Sequence, residues 1–98
     1  MEREAAGKKI VVRDRFPAGQ FHALHKAVRA DDYLGDRTFE DQVGPYIGTV
    51  LTWEFPGDPL NIEAWKDLDT FEELPAVIRA VNGVLSEKLA RAVEVSKN

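Results

Sequence analysis

A mainly α-helical domain of about three helices, preceded by one short β-strand, is the fold class this sequence predicts. Three observations lead there. A long apolar stripe at helical spacing runs from Phe71 to Val93. A shorter one, Phe21, Leu24 and Val28, lies within residues 17–30, and a β-branched cluster, Ile10-Val11-Val12, stands alone near the start. The 98 residues make one domain, since compact domains run from about 50 to 250 residues. An apolar share of 44% is that of a globular chain and too high for a disordered one.

Met1 to Gly7 is small, polar and without periodicity, and reads as a flexible leader. Lys8 to Asp14 is the strongest strand signal in the chain. One strand cannot satisfy its own backbone groups, so it must pair with another copy, a partner or an irregular part of this chain. Within the chain, residues 48–53 are the best match, through Thr49, Val50 and Thr52, but this ranks below the helical reading of the same residues. Pro17 stands near the first helical position, where its missing N–H costs nothing, and opens a helix over 17–30. Asp31 to Asp36 then reads as a loop, because adjacent carboxylates oppose the dipole at a helix C-terminus.

Thr38 is a predicted N-cap with Asp41 three residues on. Phe39, Val43, Tyr46, Ile47, Val50 and Leu51 follow it at helical spacing, so a second helix is predicted over 38–54. Pro45 costs such a helix about 3 kcal/mol and Gly48 about 1 more, which implies a kink or two pieces, 38–43 and 45–54. Pro56-Gly57-Asp58-Pro59 ends it. Leu60 to Lys66 makes a short helical turn capped by Asn61. The last helix, 70–95, begins at Asp69 or Thr70 and tolerates Pro75 in its first turn. Its stripe is Phe71, Leu74, Ile78, Val81, Leu85, Leu89 and Val93, widened by Val77 and Val84.

Charge is unevenly distributed. Residues 1–29 hold seven Lys/Arg against three Asp/Glu, residues 30–75 two against twelve, and residues 76–98 four against two, for a net −4. An acidic middle between basic ends suits head-to-tail contacts between copies or a basic partner. With no cysteine, disulfides and thiolate metal sites are excluded. The apolar runs are far shorter than the roughly 18 residues of a membrane span. The charged start carries no secretory signal, so an intracellular protein is expected.

Catalytic chemistry finds no purchase. His22 and His25 sit at i, i+3 but have no third ligand at a marked spacing, and zinc needs at least three. The pairs Asp31/Asp32, Glu40/Asp41 and Glu72/Glu73 are neighbours on loops or helix ends, whereas acid–base catalysis needs carboxyls held in different environments. Ser86 and Ser96 lie in no nucleophile context, and the seven glycines form no phosphate loop. No enzyme and no cofactor is expected. Lys8, Lys9, Arg13 and Arg15 around the strand allow an alternative, a DNA-binding ribbon-helix-helix regulator, which the acidic block beside them opposes. Trp53, Phe55 and Trp65 surround the double-proline loop as either core or anchors for a protein partner. With Ile78, Leu85 and Leu89 of the final stripe they form the predicted binding surface.

The run Leu51-Thr52-Trp53-Glu54-Phe55-Pro56-Gly57-Asp58-Pro59, the acidic stretch to Leu68-Asp69 and a closing amphipathic helix resemble small tail-assembly chaperones of long-tailed bacteriophages and prophages. The likeness covers about residues 37–95. It implies a largely helical, non-enzymatic cytoplasmic protein of a bacterial host. Such a protein holds the apolar segments of a tape-measure protein soluble while the tail tube assembles. Self-association, without nucleic acid or membrane, is part of the same expectation.

Overall fold

The computed structural model describes residues 1–29 and 38–96. It corrects the mainly helical expectation: the domain is mixed α/β, with helices packed around a three-stranded antiparallel sheet. Strands β1 (Glu2–Ala5) and β2 (Lys8–Val12) are followed by helices α1 (Ala18–Arg29) and α2 (Phe39–Val43). A 3₁₀ turn, Gly44–Tyr46, leads into strand β3 (Val50–Trp53). Helices α3 (Ile62–Lys66) and α4 (Glu73–Ser96) complete the order. The loop expected at 31–36, and the side chains of His25, Val28 and Val93, lie outside the described residues.

The supposed leader is a strand. Ala6 and Gly7 form a two-residue turn with φ of 52° and 78°, the doubly left-handed geometry that matches the twist of a hairpin. Glu2 to Ala5 then pairs with Val11 to Lys8. The Met1 nitrogen donates to Val12 O at 2.7 Å and Val12 N returns a bond to Met1 O at 2.8 Å, closing the ladder.

The second helix stops early. Thr38 Oγ1 accepts from Asp41 N at 3.1 Å as its cap, but the helix ends at Val43. Pro45 takes the chain into the 3₁₀ turn, and Gly48 reverses it at φ 92°. The chain then becomes the second partner of β2: Ile10 faces Trp53, Val11 faces Thr52 and Val12 faces Val50. Leu51 is an extra residue on β3, a bulge between Val11 and Val12. The ladder continues past both ends, through Arg13 N to Thr49 O at 2.8 Å and through a bond from Lys9 N to the Glu54 carboxylate. The needs of β2 thus outweigh the helical periodicity of 45–54, which proline and glycine had already weakened.

The core joins one face of the sheet to α4. Ile10, Val12 and Val50 meet Val77, Val81 and Val84 in a single cluster, with all six fully buried. Leu24 brings α1 into the cluster, and Tyr46 reaches Asn82 on α4 with an O–H···O bond of 3.1 Å. Arg3 on β1 pairs with Glu87 on α4 at 2.6 Å. Thr49 is wholly buried, and its hydroxyl donates to Tyr46 O at 2.6 Å. Among the described residues no buried side-chain nitrogen or oxygen lacks a partner, and no helix is long and apolar enough to cross a membrane.

Lys66 ties α3 to α2, with its ammonium 3.0 Å from Glu40 Oε1 and 3.4 Å from Glu63 Oε1. The hydrogen bond from Lys66 holds the Glu40 carboxyl below its usual range, and the bond to Glu40 raises Lys66. The Glu40 contribution is therefore present at neutral pH and lost as pH falls through its folded value. That of Lys66 is complete below the ordinary lysine range and lost as pH rises through its raised value. Solvent screens the pair, so its effect on stability is small.

Two measurements check this architecture. Ile10→Ala, at the centre of the sheet, should lower the urea-unfolding free energy by about 2–5 kcal/mol; a loss well under that range would mean β2 is peripheral. Lys66→Met should move the NMR titration of Glu40 upward while the melting temperature barely changes. An unmoved titration would remove the bridge.

Candidate protein-interaction surface

The loop after β3 is built by its aromatics. Trp65 on α3 is fully buried and donates from Nε1 to Pro59 O at 2.8 Å. Trp53, half-buried at the end of β3, donates from Nε1 to Gly57 O at 2.9 Å. Its ring stands edge-on to Phe55, at 5.5 Å and 82°, and 5.4 Å from Trp65 at 49°. Phe55 is itself 5% exposed. Two indole donors thus satisfy two carbonyls of a segment that proline and glycine keep out of regular structure. Asp58 Oδ1 accepts from Leu60 N at 2.9 Å, and Asn61 Oδ1 caps α3 through Glu63 N at 3.0 Å.

Gly57 is a steric requirement of this loop. Its φ is 87°, and an added Cβ would lie 2.8 Å from the Cβ of Ala64. The loop therefore lies against α3 at a distance only glycine permits.

Of the six predicted surface residues, the structure puts Trp65, Phe55 and Leu85 in the core. Trp53 and Ile78 are partly buried against it. Leu89 remains, 50% exposed. The aromatic loop is therefore a staple that holds α3 against β3, and exposed apolar surface must be sought elsewhere. Leu51, Leu60 and Phe71 are exposed by 48%, 56% and 87%.

Phe71 escapes a reading by periodicity for a definable reason. Spacing of three residues from Leu74 places it on the apolar stripe, but α4 starts only at Glu73, so helical periodicity does not extend to it. Its backbone is nonetheless pinned. Asp69 Oδ2 accepts from Phe71 N at 3.0 Å and from Glu72 N at 2.8 Å, while Asp69 N donates to Glu73 Oε1 at 2.8 Å. This reciprocal cap holds an exposed aromatic at the head of α4.

At the other end, the stripe that buries Val77, Val81, Val84 and Leu85 continues in register to Leu89, beside exposed Ala90 and Arg91. A shallow concavity of ≈ 400 Å³ on the hairpin, lined by Glu2, Arg3, Glu4, Gly7, Lys9 and Glu54, is polar and of mixed charge. Among the described residues no three His, Asp or Glu side chains are placed to share a metal ion. No family model matches this chain, and comparison with curated proteins and with solved structures finds no match.

Gly57→Ala should cost about 1–3 kcal/mol through strain and overpacking. Gly83→Ala, on the exposed side of α4 with open space at its Cβ, should instead stabilise by about 0.4–1 kcal/mol. Equal effects in thermal denaturation would mean that the loop does not pack on α3 as described.

Proposed function

We propose that this protein is a non-enzymatic assembly factor of the bacterial cytoplasm. In this reading it is a tail-assembly chaperone of the phage type, holding an apolar helix of a tape-measure-like partner soluble. The observation that supports the reading is the continuation of the α4 stripe beyond the core. Val77, Val81, Val84 and Leu85 are spent on the sheet, whereas Leu89 carries the same face outward at 50% exposure. A helix laid along this extension meets an apolar contact flanked by charge, the pattern of helix-in-groove recognition. The aromatic–proline run that carries the family resemblance contributes by holding α3 in place, and its rings are not the contact.

The ribbon-helix-helix alternative gains no support. Such a dimer joins the same strand from two copies, whereas both edges of β2 are occupied within the chain by β1 and β3. Lys9 is also 3.4 Å from Glu2.

Binding and folding separate cleanly at two positions of α4. Leu89→Asp should leave the circular dichroism melt within about 0.5 kcal/mol of the parent and abolish co-purification with a co-expressed tape-measure-type helix. Leu85→Asp should unfold the domain, because it buries an unpaired carboxylate at a cost of about 3–5 kcal/mol. Undiminished co-purification by Leu89→Asp would refute the assignment of the surface.

A further inference from the structure

The two exposed apolar ends of α4 are complementary. At the head, Phe71 is 87% exposed, and residues 67–73 hold Asp67, Asp69, Glu72 and Glu73 with no Lys or Arg. The nearest cation in sequence, Lys66, is already engaged by Glu40 and Glu63. At the tail, Leu89 is 50% exposed, and residues 88–92 hold Lys88 and Arg91 with no Asp or Glu. Glu87, the acid just before them, is taken by Arg3 at 2.6 Å. Lys88 is itself engaged by Asp14 at 3.6 Å, so the basic character of this end rests on the exposed Arg91.

Neither end can cover the other within one molecule. The 18 residues from Phe71 to Leu89 follow a single helix for nearly their whole length, a separation of about 27 Å at 1.5 Å per residue. Leaving a phenylalanine in water forfeits the burial that most such residues gain. Here the reciprocal cap of Asp69 and Glu73 fixes the backbone that carries it, so the ring is presented with little further loss of freedom on docking.

We infer that this protein associates with itself head to tail, Phe71 and its acidic rim in one copy docking against Leu89 and the Lys88–Arg91 side of α4 in the next. The contact is heterologous, so it grows into an open chain or closes into a ring instead of stopping at a two-fold dimer. It shares Leu89 with the surface proposed for a partner helix, and assembly therefore masks that surface until a stronger ligand displaces the neighbouring copy. The self-contact needs no such partner and is tested without one.

The test is a mixing experiment in sedimentation velocity with the full chain. The wild type should show a weight-average mass rising with concentration above the 11.0 kDa monomer. The rise should be larger at an ionic strength of about 0.01 M than at about 1 M, where the rims are screened. Phe71→Ser and Leu89→Ser alter exposed positions, and unchanged circular dichroism establishes that each folds. Each alone should remain monomeric. Mixed in equal amounts they should form a dimer that grows no further, because the first retains a working tail and the second a working head. A wild type that stays monomeric at millimolar concentration and low salt overturns the inference. So does a mixture that stays monomeric, or self-association that either single variant leaves intact.

Discussion

The hydrogen-bonding demand of one five-residue strand organises this protein. Ile10 and Val12 on β2 are fully buried, and a strand whose side chains enter the core must have its backbone groups paired on both sides. The start of the chain supplies one side and residues 49–54 the other, so two segments with weak conformational preferences of their own become ordered. The sheet so formed presents an apolar face that α4 covers with Val77, Val81 and Val84. Shortening or misregistering β2 would remove the reason for every other element to be where it is.

Elements whose causes are local could be read in the sequence. Thr38 and Asn61 cap the helices they were expected to cap, Pro75 lies within the first turn of α4, and Leu74, Val77, Val81, Val84 and Leu85 of the predicted stripe are buried. Elements whose causes are distant could not. Residues 50–53 carry both helical spacing and β-branched side chains, and only the unpaired edge of β2, some 40 residues earlier in the chain, decides between them. The hairpin at Ala6-Gly7 was hidden because alanine seldom adopts positive φ, and the usual Asn-Gly signal is absent. For the interaction surface the same division holds. Aromatic content marked Trp53, Phe55 and Trp65, but three large rings next to a strand end are drawn together by burial. Exposure of Phe71 depends on where α4 begins, which a three-residue spacing does not define.

The aromatic loop and α4 divide the work between them. The loop spends two indole N–H groups and a glycine with positive φ on a rigid corner, so α3 is held against the end of β3. Leu89 lies on the helix that packs on the sheet, and the Asp69–Glu73 cap pins the backbone of Phe71 just before it. Side chains on a flexible tail would lose more entropy on meeting a partner. Acidic groups gather at the helix N-terminus, where the dipole favours them, whereas its last turn carries no basic residue.

The bulge at Leu51 has a consequence for how the edge of the sheet meets other chains. β3 is an edge strand of the sheet, and an even edge is a template on which another strand, native or unfolded, can lay itself down. One surplus residue between Val50 and Thr52 breaks the regular alternation of donors and acceptors that such a template needs, and increases the local twist. Backbone-mediated growth, which recognises almost any extended peptide, is thereby discouraged. Under the proposed function, contacts with other molecules then fall to side chains on a helix, where a single leucine or phenylalanine sets the specificity.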